Sequence, residues 1–180
     1  MLDVFSLKQL IKTHKDFPKK GSYTRDFSEL LNETGALHFI TSELAQRYLN
    51  ANLTRIVALK GRGTMFAAIL AYRLNLPLAL IRDFGEEPGE VMFERAPSAK
   101  GDRTLEMRQG IINENDKVLL FDDIIASGSS LIAATTLIRR QKAEVHEVAS
   151  LINLPDRGGS ERLLELGIST YSVLAFEDGQ

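Results

Sequence analysis

Val118-Leu-Leu-Phe-Asp-Asp-Ile-Ile-Ala-Ser-Gly-Ser-Ser130 is the most informative stretch of this 180-residue chain. Four apolar residues run directly into two adjacent acids, a turn of small residues follows, and a helical pattern then begins. This order is typical of a strand, a tight turn and a helix in a parallel sheet. Side chains at the carboxyl end of such a strand point into the crevice where ligands bind. We therefore expect Asp122, Asp123 and residues 126–130 to line a ligand site.

The turn at residues 126–130 has the composition of a phosphate-binding loop. Its small residues let backbone N–H groups converge on an anion, and the helix that follows adds free N–H groups and the positive end of its dipole. Serine hydroxyls supply further donors. The predicted phosphate-binding residues are Ala126, Ser127, Gly128, Ser129 and Ser130.

The two acids suit a different part of the same ligand. Asp122 and Asp123 fit neutral hydroxyl groups beside the anion, as on a ribose, or the water shell of Mg²⁺. Together with the turn they predict a sugar-phosphate site. The alternative is that the acids only cap the helix, and one of them can be structural because adjacent strand residues point to opposite sides.

The remaining chain alternates short apolar runs with helical patterns. Strands are predicted at residues 56–59, 78–81, 118–121, 148–152 and 171–175, and helices at 64–75, 130–142 and 160–166. Strands that are apolar on both faces and separated by helices indicate an α/β fold with a central, mostly parallel sheet flanked by helices. We expect a single domain over residues 1–180.

Two regions depart from this alternation. Residues 1–50 hold a helical start, a Pro- and Gly-containing connector and a helix from about residue 28 to 49, which together predict a small N-terminal cap on the sheet. Residues 83–103 hold six acids and three bases with Pro and Gly. Irregular loops longer than about 12–15 residues are usually functional or disordered, so a flexible lid loop is predicted there. A solvated hairpin is the alternative.

Composition excludes several classes of protein. The chain has no cysteine, so disulfides and thiolate chemistry are absent, and its histidines do not fall at metal-ligand spacing. A net charge of −2 with dispersed charges argues against a nucleic-acid partner. The N-terminus is charged early and the longest uncharged stretch, residues 124–138, is interrupted by polar residues. We expect a cytoplasmic protein with small-molecule substrates and no membrane partner.

Residues 118–130 resemble the phosphoribosyl pyrophosphate (PRPP) motif of the type I phosphoribosyltransferases, in which Ala-Thr-Gly-Gly-Thr ends the run. Here Ala-Ser-Gly-Ser-Ser stands in those places, so Ser129 replaces a glycine. Asp16-Phe-Pro-Lys-Lys-Gly-Ser-Tyr-Thr-Arg-Asp-Phe27 is similar to the base-side segment of the adenine-using members. Leu59-Lys-Gly-Arg-Gly63, Leu80-Ile-Arg82 and Leu105-Glu-Met107 resemble further blocks of those members.

The resemblance implies the family's fold, with its N-terminal hood and mobile loop, and its reaction. A member of this kind transfers phosphoribose from PRPP to a free purine, here adenine to AMP, releasing pyrophosphate. It acts with Mg²⁺ bound to PRPP and as a homodimer. The implied roles are Asp123 as the catalytic residue, Asp122 and Asp123 on the ribose, residues 126–130 on the 5′-phosphate, Arg62, Gly63 and Arg82 on the pyrophosphate, and Tyr23, Thr24 and Arg25 on the base.

Besides Ser129, the chain departs from the family pattern at Tyr23-Thr24, where an apolar-aromatic pair is typical, and at two further places, and it leaves alternatives open. Acids stand in Arg82-Asp-Phe-Gly-Glu-Glu-Pro-Gly89 where the family has bases, and Ala99 takes the place of a catalytic glutamate. The alternatives are a non-catalytic or regulatory binder of PRPP or nucleotide, and a transferase for another base. For Arg62 the alternative to ligand binding is an ion pair at the surface or the sheet edge. For Tyr23 and Phe27 it is a place in the core beneath the N-terminal cap. Neither glycine-rich nucleotide-binding fingerprint is present, so a Rossmann or P-loop domain is set aside.

Overall fold

A seven-stranded sheet forms the centre of the molecule in the computed structural model, which describes residues 2–97 and 101–177. The strands are β1 Lys12–Lys15, β2 Tyr23–Asp26, β3 Arg55–Leu59, β4 Leu78–Asp83, β5 Val91–Ala96, β6 Arg103–Arg108, β7 Lys117–Ile125, β8 Glu144–Asn153 and β9 Thr170–Ala175. The helices are α1 Val4–Gln9, α2 Ser28–Asn32, α3 Ala36–Tyr48, α4 Gly63–Leu74, α5 Ser129–Arg140 and α6 Gly159–Glu165.

The sheet has the order β5-β6-β4-β3-β7-β8-β9, and the five strands β4, β3, β7, β8 and β9 are parallel. The predicted α/β fold with a mostly parallel sheet is confirmed. Ala58 of β3 lies beside Phe121 of β7 and Leu59 beside Ile81 of β4. Because the carboxyl ends of these strands meet at one edge, the loop after β3, the end of β4 and the acids of β7 are neighbours.

The apolar run at the start of β7 is explained by burial on both faces of the sheet. Leu119 and Phe121 pack into one apolar cluster, which includes residues of α1, α3 and α4. Val118 and Leu120 point the other way into a second cluster, which includes residues of α5 and α6. A strand with a helical layer on each side needs apolar residues at every position, and this is the pattern that predicted it.

The N-terminal region differs from its prediction in two ways. The expected helix over residues 28–49 is two helices, because Gly35 takes a left-handed conformation with φ +86° between α2 and α3. The connector holds an antiparallel hairpin of β1 and β2 that was not predicted. All four residues of β1 are exposed, so the sequence there has no alternating apolar pattern to reveal a strand.

Much of residues 83–103 is regular structure rather than an irregular loop. β5 pairs with β6 along its whole length, from Val91 opposite Arg108 to Ala96 opposite Arg103, which is a hairpin as in the alternative. The role of this segment as a flexible lid stays a prediction. Met92 packs against the second apolar cluster, although charged residues surround it in sequence. Ala99 lies outside the described residues. Along the described part of the chain, no helix is both long and apolar enough to cross a membrane.

Candidate active site

Asp122 and Asp123 lie within β7, which continues past them to Ile125. The backbone N–H of Asp123 donates to Oδ1 of Asp122 at 2.8 Å. Burial, reinforced by the neighbouring negative charge of Asp123, raises the pKa of Asp122 well above its usual range. The positive charge of Arg103 acts in the opposite direction on the same carboxyl. The strand therefore presents two adjacent carboxyls at the ligand edge, and the pKa of the first, Asp122, is strongly raised.

The turn after β7 forms a small pocket of about 90 Å³. It is lined by Asp122, Ile124, Ala126, Ser127, Gly128, Ser129, Ser130 and Leu131. Gly128 has φ +76°, a left-handed conformation that favours glycine, and α5 begins at the next residue. The structure thus brings together every residue predicted for the phosphate site, with Asp122 at its edge and free N–H groups at the start of α5.

Arg62 links three segments of the candidate site. Its Nε and Nη2 both lie 2.7 Å from Oδ2 of Asp123, which matches the ion-pair alternative for this residue. Its Nη1 donates to the backbone carbonyl of Arg25, and its guanidinium lies 4.3 Å from the ring centroid of Phe27. In this conformation Arg62 connects the base-side hairpin to Asp123.

Gly63 is required by close approach of two backbones. A Cβ at this position would lie 2.6 Å from the backbone N of Asp123 and 2.8 Å from the backbone C of Asp122. The start of α4 therefore packs directly on the two acids. A side chain there would displace either the helix or the end of β7.

The residues predicted for the base side of the site lie in different environments. Tyr23 is 59% exposed at the start of β2, so it is not a core residue, whereas Phe27 is 3% exposed and packs edge-to-face on Phe66. The hydroxyl of Thr24 donates to the Phe17 carbonyl at 2.8 Å.

Arg25 donates through its side chain to Thr13 and stacks on the ring of Phe176 at 4.4 Å. Its carbonyl is the group that meets Arg62. Of the three residues predicted for the base, Arg25 is thus the one that contacts the rest of the candidate site.

The predicted pyrophosphate residue Arg82 already has a carboxylate partner. Its Nε lies 2.8 Å from Oε2 of Glu87. Lys60, two positions before the predicted pyrophosphate residue Arg62, pairs with Glu86. These pairs lie beside each other because the backbone N–H of Lys60 donates to Ile81 of β4 at 2.8 Å.

Two contacts of residues 126–130, the predicted phosphate-binding turn (below, the phosphate turn), were missed by sequence reasoning. Arg162 of α6 donates through Nη1 to the carbonyl of Ser127 at 2.6 Å and approaches Oγ of Ser129 at 3.3 Å. A Cβ on Gly159 would lie 2.2 Å from the carbonyl oxygen of Ala126. The adjacent glycines 158 and 159 before a helical pattern were the available signal, whereas nothing local points to Arg162.

Metal binding by protein groups alone is not indicated in the part of the chain that the structure describes. No group of three or more His, Cys, Asp or Glu side chains there is arranged to hold an ion. The carboxylates of Asp122 and Asp123 remain as oxygen donors of the kind that Mg²⁺ uses together with substrate phosphates.

Comparison with known proteins agrees with this geometry. The family model described as a phosphoribosyl transferase domain matches residues 28–169. An adenine phosphoribosyltransferase of Stutzerimonas stutzeri is 43% identical over 176 residues, covering 98% of this chain and 97% of its own. One from Pseudomonas fluorescens strain Pf0-1 is 42% identical over 176 residues, with the same two shares.

Solved structures give the same result at the level of the fold. The adenine phosphoribosyltransferase of Thermoanaerobacter pseudethanolicus superposes with a TM-score of 0.91 at 27% identity, covering 97% of this chain and 100% of that one. The enzyme of Giardia lamblia in complex with 9-deazaadenine gives a TM-score of 0.92 at 27% identity, covering 98% and 99%.

Proposed function

This chain belongs to the phosphoribosyltransferase family, and on that premise we propose that it is an adenine phosphoribosyltransferase, an enzyme that converts adenine and PRPP to AMP and pyrophosphate. One observation carries the proposal: Asp122 lines a phosphate-sized pocket together with residues 126–130, and Asp123 is its neighbour on β7. A vicinal pair of carboxylates beside an anion-binding turn suits a sugar phosphate.

The reaction needs no protein nucleophile. A ring nitrogen of adenine forms a bond to the anomeric carbon of the ribose while the bond to pyrophosphate breaks, pyrophosphate leaves with the electron pair, and the nitrogen loses its proton. The transition state resembles an oxocarbenium ion, as in glycoside hydrolysis. The protein therefore acts by positioning the reactants and by stabilising charge.

Each side chain of the site has a role in this proposal. Asp122 and Asp123 hold the ribose hydroxyls, and Asp123 stabilises positive charge on the ring as the catalytic residue. The 5′-phosphate binds to the N–H and hydroxyl groups of Ala126, Ser127, Gly128, Ser129 and Ser130. The short contact of Gly63 with the two acids supports its place beside the leaving group, together with Arg62 and Arg82.

The base binds on the hairpin side of the site. The contact between Arg62 and the Arg25 carbonyl supports this location, because it joins the hairpin to Asp123. Tyr23 is exposed and so remains available to stack on a purine, and Thr24 fixes the turn that carries it.

Magnesium enters the proposal as part of the substrate complex. With PRPP and Mg²⁺ bound, the carboxylates of Asp122 and Asp123 would be the oxygen donors that the protein offers, directly or through water. The ion would supply neutralisation of negative charge on the pyrophosphate leaving group. Calorimetric titration of PRPP with and without Mg²⁺ measures this dependence.

Assembly and location are further parts of the proposal. The family resemblance favours a homodimer, which light scattering coupled to size exclusion chromatography tests directly.

PRPP carries several negative charges, and such a molecule does not cross a bilayer unaided. An enzyme that consumes it works in the compartment that makes it, and we place this one in the cytoplasm.

The decisive experiment is a base-panel assay. Purified protein with Mg²⁺ and PRPP is given adenine, hypoxanthine, guanine, xanthine or orotate, and nucleotide and pyrophosphate are quantified. AMP formation from adenine alone is expected, and Asp123→Asn should abolish it. Turnover with a different base would correct the substrate, and no turnover with any base would refute the enzymatic proposal.

A ligand-binding protein without turnover is the second candidate. The observation that favours it is the pairing of Lys60 and Arg82 with carboxylates, because these cations are then not free for pyrophosphate. A binder of this kind would be stabilised by PRPP or AMP and yet release no pyrophosphate in the base-panel assay.

A further inference from the structure

Three cations near the ligand edge are each paired with a carboxylate from one short segment. Lys60 pairs with Glu86, Arg82 with Glu87, and Arg103 with Asp83. The three carboxylates all come from the turn that ends β4 and leads to β5, which we call the acidic turn, residues 83–87. Arg103 is also close enough to Asp122 to lower the pKa of that carboxyl, so this cation lies near the candidate site.

The acidic turn is held in place by a buried carboxylate. Glu106 of β6 is 2% exposed, and its Oε1 accepts the backbone N–H groups of Glu86 at 2.7 Å and Glu87 at 2.6 Å. Although burial opposes ionisation, these N–H groups and that of Gly85 hold the pKa of Glu106 below its usual range. The side chains of Glu86 and Glu87 are therefore aimed at Lys60 and Arg82 by a fixed backbone.

We propose that Glu86 and Glu87 set the affinity of the site for a diphosphate group, because they occupy Lys60 and Arg82 in the free protein and compete with the pyrophosphate of PRPP for them. This inference rests on the proposed function for the identity of the ligand. It adds that diphosphate binding must first break two ion pairs within the protein.

The two ion pairs are expected to change the affinity for diphosphate measurably, yet a bound diphosphate can still displace them. Lys60 and Glu86 are both partly exposed, whereas Glu87 is more deeply buried. An exposed ion pair changes an equilibrium by up to roughly fivefold, so loss of both should change diphosphate affinity by about tenfold. Glutamine keeps the size of each side chain and one acceptor oxygen but removes the negative charge that Glu86 and Glu87 place beside Lys60 and Arg82.

The experiment compares the wild type with E86Q/E87Q by isothermal titration with PRPP, inorganic pyrophosphate and ribose 5-phosphate, at constant Mg²⁺. We expect the Kd for PRPP and for pyrophosphate to fall by about tenfold in the variant. The Kd for ribose 5-phosphate, which has no diphosphate, should stay within about twofold, because it relies on residues 126–130.

A matched control removes the same charge at the opposite edge of the sheet. Glu114, in the turn before β7, and Glu144, the first residue of β8, are both exposed. E114Q/E144Q should change no Kd by more than about twofold, since surface charges beyond a Debye length of about 10 Å are screened. If E86Q/E87Q lowers thermal stability, E86Q alone serves as the milder variant, with about a threefold effect expected.

The outcomes separate this inference from the proposed function. Tighter PRPP binding in E86Q/E87Q with ribose 5-phosphate unchanged supports the inference, as does PRPP binding that appears only in the variant. Unchanged PRPP affinity overturns it, and so does an equal gain in E114Q/E144Q. If neither protein binds PRPP, the inference fails, and the ribose 5-phosphate titration then reports separately on the phosphate site of the proposed function.

Discussion

Asp122 combines its proposed role at the ligand site with a cost to folding. The folded protein buries its carboxyl next to a second acid, so the ionised form is disfavoured and its pKa is raised. Charges buried without full compensation destabilise a fold by several kcal/mol. A stability cost at a ligand-binding residue is expected where function requires the charge.

Asp122→Asn should therefore stabilise the protein and weaken PRPP binding. The amide oxygen can still accept the N–H of Asp123, while the buried charge is removed. We expect the free energy of unfolding at pH 7 to rise by about 1 kcal/mol or more, which raises Tm by about 2–4 °C per kcal/mol. Denaturant unfolding and PRPP titration measure the two effects, and a lower stability would contradict this account.

The pH dependence of that gain has a definite sign. Because the folded pKa of Asp122 lies above the value of 3.8 for the free side chain, the folded state keeps a proton that the unfolded state has released. The wild type therefore loses stability as pH rises through this window. The advantage of Asp122→Asn should be small near pH 4 and larger at pH 7.

Gly63→Ala tests the contact between α4 and the two acids. The added methyl group would meet backbone atoms of Asp122 and Asp123, which cannot move aside as a side chain can. We expect a loss of about 1–3 kcal/mol in stability and at least a tenfold weaker PRPP affinity. Gly61→Ala is the control, because the same methyl group meets open space, and its stability should change by less than about 0.5 kcal/mol.

Much of the candidate site was predictable at the level of residues. Residues 118–130 are contiguous, so one stretch of sequence carries strand, acids, turn and helix start together. The partner of Arg62 was not predictable from such a stretch. Asp123 is 61 residues from Arg62, and only the parallel pairing of β3 with β7 brings the two together.

At the scale of elements, α6 contacts the phosphate turn through Arg162, which donates to the Ser127 carbonyl. Arg162→Ala should raise the Kd for ribose 5-phosphate by about three- to tenfold, since a charged donor to the Ser127 carbonyl contributes about 1.5–3 kcal/mol before partial compensation by water. Arg162→Lys should restore part of this. The exposed neighbour Glu161→Ala should have no effect, and an equal loss there would indicate a general disturbance of the helix.

The amino-terminal half of β8 carries a hydrogen-bond network around Glu147, and we expect it to contribute to stability and not to catalysis. Glu147 accepts Nε and Nη2 of Arg47 at 3.0 and 2.9 Å and the hydroxyl of Tyr48 at 2.6 Å. Burial opposes ionisation of this carboxyl, but its bonds to Arg47 and Tyr48 hold its pKa below the usual 4.5. The network ties α3 to the amino-terminal half of β8, away from the ligand edge.

Glu147→Gln should lower the free energy of unfolding by about 1–2 kcal/mol, a value that allows for the partial exposure of Arg47. The kcat and KM should be unchanged, because this half of β8 is remote from residues 122–130. Since the folded pKa is lowered, the stabilisation is present above pH 4.5 and is lost as pH falls through the folded value. Unfolding at pH 7 and at pH 3.5 should show the difference between variants shrinking with acid.

Elements that the sequence did not reveal share one property. β1 is exposed along its whole length, and β5 lies at the edge of the sheet with charged residues in its second half, so neither strand has a long apolar run or a clean alternation. The break between α2 and α3 depends on a glycine with positive φ, which a helical pattern does not exclude. The buried parallel strands were predictable because both of their faces must be apolar.

At the scale of the whole molecule, the two apolar clusters share one strand. Leu119 and Phe121 of β7 belong to one cluster and Val118 and Leu120 to the other, so neither face can unfold without disturbing the same backbone. The candidate ligand site lies at the carboxyl end of this strand. Ligand binding there should therefore stabilise both faces of the sheet together.

PRPP with Mg²⁺ should consequently shift a single thermal transition of the full chain. At one hundred times its Kd a ligand adds about 2.7 kcal/mol, which for a chain of this size raises Tm by about 5–10 °C. Asp123→Asn should fold and melt in one step but show a smaller shift, since the ribose contact is lost while residues 126–130 still bind the phosphate. Calorimetry with and without ligand measures both values. Two separate transitions, with only one of them moved by PRPP, would contradict the shared-strand argument, because β7 would then not couple the two clusters.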